Sequence, residues 1–391
     1  MRTTLSTSQI TGTFLDFYRD RGHEILGDST LIPPQGDPVL FTSAGMHPLT
    51  PYLEGRPHPL GRRLTGVQRC LRTTDLDEVG DDTHLTVFQM LGSWSLGDYP
   101  GDQSLRWGYE LLRDGFGVPP SRLHVTVHDG DPGSLETWQR LGVPVEILGD
   151  DDNWWSNGPT GPCGPDSEIF IWTGDGVPSG TPSTTPSTDD RWVEVWNHVM
   201  MRYRRHPDGT LTSLEQPSVD TGMGLERMAM VLQGHSSVFD TDVFEPWTRT
   251  VSSLWTPSRL LYDHLRSSVV VIGDGVHPSN TGRGYVLRRL IRRILTTLWR
   301  DDPSRTLLDL PTDPIASTVD HYGLPIDPLY VHDVLVYEER RFGALLRRGR
   351  PLIERLLLRG PLTDDDYHYL HDTHGIPRDL VEEVVTAQPR Q

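Results

Sequence analysis

Ile10, Phe14 and Tyr18 recur at i, i+4 and i+8, a spacing that aligns them on one face of a helix. Gly22-His23 is expected to end that helix. From about residue 31 to residue 148, short apolar runs are broken by Gly and Pro. That texture suits an α+β domain with an antiparallel sheet better than regular βαβ repeats. Trp192-Val193-Glu194-Val195-Trp196 reads as a strand, and Val219-Asp220-Thr221-Gly222-Met223-Gly224 leads into a helical pattern over 225–233. From about residue 259 the pattern becomes helical and Arg-rich. A helix predicted over 285–299 carries Arg288, Arg289, Arg292 and Arg293 as two i, i+4 pairs on adjacent rows, hence one positive face. Another long helix, bearing Arg and Glu, is predicted over 334–358, and the tail holds a turn-like stretch over 371–377. These patterns divide the chain near residue 255, into an α+β domain over 1–255 and a helical domain over 256–391. Residues 177–190 are Pro-, Ser- and Thr-rich and cannot bury apolar surface, so they read as a flexible surface insertion.

Composition narrows the class. With 391 residues, 35% hydrophobic and 23% charged, the chain has the make-up of a soluble globular protein with room for two domains. No apolar run approaches the roughly 20 residues that cross a bilayer, and the polar N-terminus lacks a secretory pattern, so a cytoplasmic location without membrane contact is expected. Cys70 and Cys163 form neither a disulfide framework nor, by themselves, a zinc site. His368, His371 and His374 are spaced by three, but the last falls in the turn-like stretch, and no metal site is assigned there. All 36 basic residues are arginine, as codon usage in a GC-rich genome would produce. The net charge of −18 is opposite to the global signature of a nucleic-acid binder, and no DNA partner is expected.

Three polar residues stand out for chemistry. Arg72 closes the run Gln68-Arg69-Cys70-Leu71-Arg72, ahead of Phe88-Gln89-Met90-Leu91-Gly92. Arg227 follows a glycine turn at a helix start, and Asp220 precedes that turn. Fixed guanidinium groups, one carboxylate and small residues where backbone meets ligand are the parts needed to position two anions and a substrate amine. The same residues also read as structural ion pairs beside plain glycine turns.

Longer motifs carry a resemblance. They are Gly22-His23-Glu24 with Asp37-Pro38-Val39-Leu40-Phe41-Thr42-Ser43-Ala44-Gly45-Met46, and the two runs above, the second extended by Ser93-Trp94-Ser95-Leu96-Gly97-Asp98-Tyr99. Asn153-Trp154-Trp155, Thr160-Gly161-Pro162-Cys163-Gly164-Pro165 and Glu194-Val195-Trp196-Asn197-His198-Val199 follow, then Ser218-Val219-Asp220-Thr221-Gly222-Met223-Gly224-Leu225-Glu226-Arg227. In this order they resemble the catalytic half of the alanyl-tRNA synthetase family, a class II family. Gly273-Asp274-Gly275-Val276, Pro278-Ser279-Asn280, Arg283-Gly284-Tyr285-Val286-Leu287-Arg288-Arg289 and the tail over 372–380 resemble its helical middle domain. The resemblance covers essentially the whole chain.

It implies an antiparallel sheet flanked by helices, followed by a helical domain, with L-alanine and ATP as substrates. Arg72 looks like the motif 2 arginine on the α-phosphate and the alanine carboxylate, and Arg227 like the motif 3 arginine at the γ-phosphate end. Met90 sits where family backbone groups meet the adenine. Trp155, Asn197, Val199, Asp220 and Gly222 match the alanine pocket, with Asp220 on the ammonium. Trp155 and Val199 would leave room for little beyond a methyl group, which separates alanine from glycine by only ~1–3 kcal/mol. Mg²⁺ is implied on the phosphates, with no ligands assigned.

Three departures from the family pattern bear on the acceptor. The loop after the motif 2 arginine, typically containing Gly-Gly-Lys-His-Asn, is shortened: Arg72 runs through Thr73-Thr74 into Asp75-Leu76-Asp77. That loop approaches the acceptor end of tRNA in class II enzymes, so its shortening removes a phosphate contact worth roughly 1 kcal/mol and surface that steers RNA. The zinc-binding editing segment has no counterpart, so neither zinc nor editing is expected. The family's second cysteine after Gly-Pro-Cys-Gly-Pro is Asp166, which could alter the entrance to the site, and its motif 2 Glu is Gln89. These features favour a stand-alone truncated paralogue that forms alanyl-adenylate and passes alanine to a small-molecule amine or similar nucleophile, as in antibiotic biosynthesis. Charging of tRNA(Ala) without editing is the alternative, favoured by the arginine face. A non-catalytic binder or regulator is a lesser alternative, opposed by the intact Arg72, Asp220 and Arg227. Oligomeric state stays open.

Overall fold

Ser6 starts the first helix, α1 (Thr7–Arg19), with a reciprocal cap: its hydroxyl accepts from the Gln9 N–H, and the Gln9 carboxamide accepts from the Ser6 N–H. Ile10, Phe14 and Tyr18 form its buried stripe, as their spacing predicts. The computed structural model describes residues 4–27, 29–34, 39–156, 158–178, 184–374, 376, 378, 381 and 382. Parts of the insertion (179–183) and of the tail motif (375, 377, 379, 380), together with Asp37 and Pro38, lie outside them.

Nine strands build one sheet: β1 (Glu24–Ile25), β2 (Arg63–Leu71), β3 (Val87–Ser95), β4 (Leu123–His128), β5 (Val145–Leu148), β6 (Trp154–Ser156), β7 (Gly161–Trp172), β8 (Trp192–Arg205) and β9 (Leu211–Gly224). Their order is β1-β2-β3-β9-β8-β7-β4-β5, with β6 added against β7. Pairing is antiparallel through the centre and parallel only at the two edges, β1 with β2 and β4 with β5. The sheet is therefore mixed, with the expected antiparallel core. The accompanying helices are α2 (Thr50–Leu53), α3 (Gly101–Glu110), α4 (Pro132–Leu141), α5 (Asp150–Asn153), α6 (Leu225–Gln233), α7 (Glu245–Leu254) and α8 (Arg259–Gly273). The helical region continues as α9 (Gly282–Asp301), α10 (Asp313–Tyr322), α11 (Pro328–Leu357) and α12 (Asp364–His374). Residues 371–374, expected in a turn, are the end of α12.

The chain divides into two units, Met1–Gly275 and Val276–Gln391, so the boundary falls after α8 rather than near residue 255. Buried polar contacts explain the shift. The Asp263 carboxylate of α8 accepts from the Thr86 N–H (2.9 Å) and hydroxyl (2.5 Å). Arg266 donates to the Val87 carbonyl at 2.9 Å and pairs with Glu226 of α6 at 2.5 Å. A helix whose buried charges find partners on the sheet and on α6 folds with the sheet.

Candidate functional site

The centre of the sheet sets the site by register. On β3, Met90 lies opposite Gly224, Gly92 opposite Gly222 and Trp94 opposite Asp220; on β8, Asn197 lies opposite Gly222 and Val199 opposite Asp220. Side chains alternate along a strand, so Met90, Trp94, Asn197, Val199, Asp220 and Gly222 share one face. The other face belongs to the helices. There Trp196 meets Phe14 of α1, with ring centroids 5.6 Å apart, and His198 Nδ1 bonds the Ser104 hydroxyl of α3 at 3.0 Å.

Two glycines let the site face close up. A Cβ on Gly92 would lie 2.2 Å from the Trp94 ring, and one on Gly222 would lie 2.5 Å from Met90 Sδ. The Trp94 indole thus crosses Gly92 and donates from Nε1 to Asp220 Oδ1 at 2.6 Å. Burial pushes the Asp220 carboxyl up to about 7, against the lowering effect of that hydrogen bond. Trp94 and Val199 belong to a buried cluster with Ala44, Met46 and Leu49, on which Met90 and Trp155 pack half-buried. Met90 Sδ also accepts from the Gly45 N–H at 3.1 Å.

Above this floor lie two openings. Arg72, Met90, Gly222 and Arg227 line a cleft, with Phe88 and Glu194. A second, wider opening is bordered by Arg72, Trp155, Phe41 and Ser156. Arg72 belongs to both. Its Nε donates to the Ser43 carbonyl at 3.3 Å, and its guanidinium stands 5.1 Å from the Phe88 ring centroid, an attractive cation–π geometry. Arg227, in the first turn of α6, donates to the Glu194 carboxylate at 2.8 Å. Asn197, Val199 and Asp220 line neither opening; they share the sheet face with Met90 and Gly222, which do.

Acidic groups adjoin the floor. Asp166, only 2% exposed, accepts at Oδ1 from Asn153 (2.9 Å) and at Oδ2 from Asn197 (3.0 Å). On β7 it lies opposite Val199, on the same face as Asn197, and is buried there rather than open at an entrance. Burial raises its carboxyl to about 6 despite those two donors. Glu168, opposite Asn197 on β7, is raised to about 9 by burial and by the nearby Glu194 and Asp166 carboxylates. Glu226 accepts from the Gln89 N–H at 3.0 Å and from Arg266, bracing the strand beside the first cleft. Trp94 and Arg266 were not singled out from sequence. The period-2 row Met90, Gly92, Trp94 held the signal for the first; partners as far away as Glu226, 40 residues back, and Val87 left none for the second.

The arginine face of α9 splits in two. Arg288 is 4% exposed, and its Nε lies 2.9 Å from Glu338 of α11; Arg292 Nε lies 3.5 Å from the same carboxylate. Those two turn into the helical unit, because Glu338 is itself fully buried and requires cations. Arg289 and Arg293, on the adjacent row, are half-buried. Among the described residues no group of three or more His, Cys, Asp or Glu could hold a metal ion, and no helix is long and apolar enough to cross a membrane.

Comparison with known proteins adds to this geometry. Residues 9–390 match the family model described as tRNA synthetases class II (A). An alanine–tRNA ligase of Treponema pallidum is 40% identical, over 97% of this chain and 68% of its own length. That of Halorhodospira halophila is also 40% identical, over 97% of this chain and 46% of its own. The chain thus spans from under half to two-thirds of the length of these relatives. Among solved structures, an aspartyl tRNA synthetase from Entamoeba histolytica aligns over 61% of this chain and 56% of its own, at 13% identity and a TM-score of 0.37.

Proposed function

The chain belongs to the class II (A) family of tRNA synthetases, and on that premise we propose that it condenses L-alanine with ATP and passes the alanyl group to tRNA(Ala). The observation that carries this reading is Asp220 directly opposite Val199, a buried carboxylate beside an apolar wall. Such a pair accepts an ammonium and leaves little room for a side chain larger than methyl. Trp155 closes the same pocket, and Asn197 and Gly222 complete it.

Arg72 borders both openings, so one guanidinium can hold the alanine carboxylate and the α-phosphate together. A carboxylate oxygen attacks the α-phosphorus, and the bond to the bridging oxygen breaks, giving alanyl-adenylate and pyrophosphate. Arg227 takes the terminal phosphate, and the strand at Met90 meets the adenine. The protein's part is positioning and charge neutralisation rather than covalent chemistry. Mg²⁺ bound with the nucleotide would neutralise phosphate charge, and Glu194, the half-buried carboxylate lining the first cleft, is placed to reach it. In the second step a tRNA 3′-terminal hydroxyl attacks the alanyl carbonyl and AMP leaves.

The names of the relatives give tRNA as their acceptor, which favours tRNA(Ala) over the small-molecule acceptor expected from sequence. Arg289 and Arg293 are the candidate RNA contacts. One observation supports the small-molecule acceptor as a second reading: the turn after Arg72 closes at once into a single helical turn over Thr74–Asp77. Two assays separate the possibilities. Alanine-dependent exchange of pyrophosphate into ATP is expected, and its absence at saturating alanine would sink activation. Stable alanylation of a tRNA(Ala) transcript is expected next; exchange without charging would move the assignment to the second reading.

A further inference from the structure

Asn197 and Asp166 are joined in a way that decides which end of a carboxamide meets the substrate. An ionised carboxylate only accepts hydrogen bonds. Asp166 receives one amide at each oxygen: Asn153 Nδ2 at 2.9 Å on Oδ1 and Asn197 Nδ2 at 3.0 Å on Oδ2. Asn153 is fully buried and is tied a second time, to the Thr126 hydroxyl at 2.9 Å, so the carboxylate is also held at its other oxygen. With its NH₂ committed to Asp166, Asn197 must turn its carbonyl oxygen elsewhere. That atom is buried and accepts from no described residue. Asn197 stands on the site face, opposite Gly222 and two register positions from the Val199–Asp220 pair.

We propose that Asp166 is a positioning residue, which locks the Asn197 carboxamide with Oδ1 presented to the α-ammonium of alanine as a second acceptor beside Asp220. The inference rests on the reading of this pocket as the alanine site. A buried acceptor with no partner is unfavourable in the free protein, and a cationic amine restores the missing bond. The direction of the amide matters because its two ends are nearly the same shape and opposite in hydrogen-bonding sense. A residue at position 166 able to donate, such as Asn or Ser, permits the flipped amide, whose NH₂ would face the ammonium and repel it. The carboxyl at 166, raised only to about 6 by its burial, is predominantly ionised at neutral pH, as the lock requires.

The test uses the full chain with Asp166→Asn, Asn197→Ala and the double variant, in alanine-dependent pyrophosphate exchange. For Asp166→Asn the KM for alanine is expected to rise roughly tenfold or more while that for ATP stays within about twofold, because one hydrogen bond to a charged group is removed. The double variant should be no worse than Asn197→Ala, since Asp166 acts only through Asn197. An unchanged alanine KM in Asp166→Asn, or additive losses in the double variant, overturns the proposal. A readout free of catalysis is the side-chain amide ¹⁵N–¹H signal of Asn197 in the ligand-free protein, assigned by its disappearance in Asn197→Ala. It should move in Asp166→Asn and again when alanine is added to the wild type; a signal indifferent to either change overturns the proposal. A wild type that exchanges normally while Asp166→Asn keeps its alanine KM refutes the positioning role alone. A wild type without exchange refutes the functional reading, and the amide signal still decides the Asp166 contact.

Discussion

Trp94 Nε1 donates to Asp220 Oδ1 across 2.6 Å, between residues on adjacent strands and directly opposite in register. One carboxylate oxygen is thereby occupied and oriented by the protein, and the other is left for a cation. The indole can reach it only because Gly92 lies under the ring. Tryptophan here supplies a buried ring of the floor and the donor that aims the carboxylate.

Trp94→Phe keeps an aromatic ring in the buried cluster and removes the donor. Hydrogen bonds to charged groups contribute ~1.5–3 kcal/mol, so the KM for alanine should rise about 10- to 100-fold with little change in the KM for ATP. Exchange kinetics at varied alanine measure this; an unaltered alanine KM would detach Trp94 from the site.

Acid should weaken alanine binding. Asp220 in the free protein titrates near 7 because burial disfavours its charge, and the neutral acid cannot pair with an ammonium. The alanine KM should therefore rise as pH falls through 7 and level off above it, and binding below pH 7 should release a proton, visible calorimetrically in buffers of different ionisation enthalpy. The sign for folding is opposite. An unfolded Asp titrates near 3.9, so between about pH 4 and 7 the folded state holds the extra proton, and this residue's contribution to stability falls as pH rises. A flat alanine KM from pH 6 to 8 would contradict the assignment of Asp220.

Gly222→Ala tests the other close approach. The new Cβ would lie 2.5 Å from Met90 Sδ, and Met90 cannot retreat without giving up its hydrogen bond from the Gly45 amide. Overpacking of this kind costs ~1–3 kcal/mol, and Met90 lines the first cleft. A higher KM for ATP and a lower unfolding midpoint are expected; wild-type values in both would show that Met90 has slack.

Glu338→Ala should destabilise the helical unit by ~3–5 kcal/mol, the cost of leaving a buried charge without its partner, because Arg288 and Arg292 both turn to that carboxylate. Denaturant titration measures it. Substitution of Arg289 or Arg293 by Ala should weaken tRNA(Ala) binding. The slope of affinity against salt should then fall by about one unit for each phosphate that is no longer neutralised.

The parts of this structure legible in sequence are those with a short period. The stripe of α1 and the span of α6 follow from spacing and from a glycine turn, and the antiparallel centre of the sheet from short apolar runs. Arg72, Met90, Gly222 and Arg227, drawn from motif resemblance, come together around one cleft. What sequence could not supply were partners far along the chain. The α9 arginines looked like one face until Glu338, about 50 residues on, claimed two of them. Asp166 looked able to alter the entrance until β7 and β8 paired and set it opposite Val199, buried and bonded to Asn197. Periodicity reports which way a side chain points on its own element, not what waits for it on another.

The Arg266–Glu226 ion pair limits how the protein can be shortened. A fragment ending at residue 255, where the sequence pattern turns helical, would strip two charged residues, Asp263 and Arg266, from their partners at Thr86, Val87 and Glu226. Glu226 would then keep an uncompensated negative charge beside the Gln89 backbone, next to where a triphosphate is expected to dock. A minimal fragment carrying the first cleft must therefore retain the chain through Gly275, because its last helix holds the partner of Glu226, which lines that cleft.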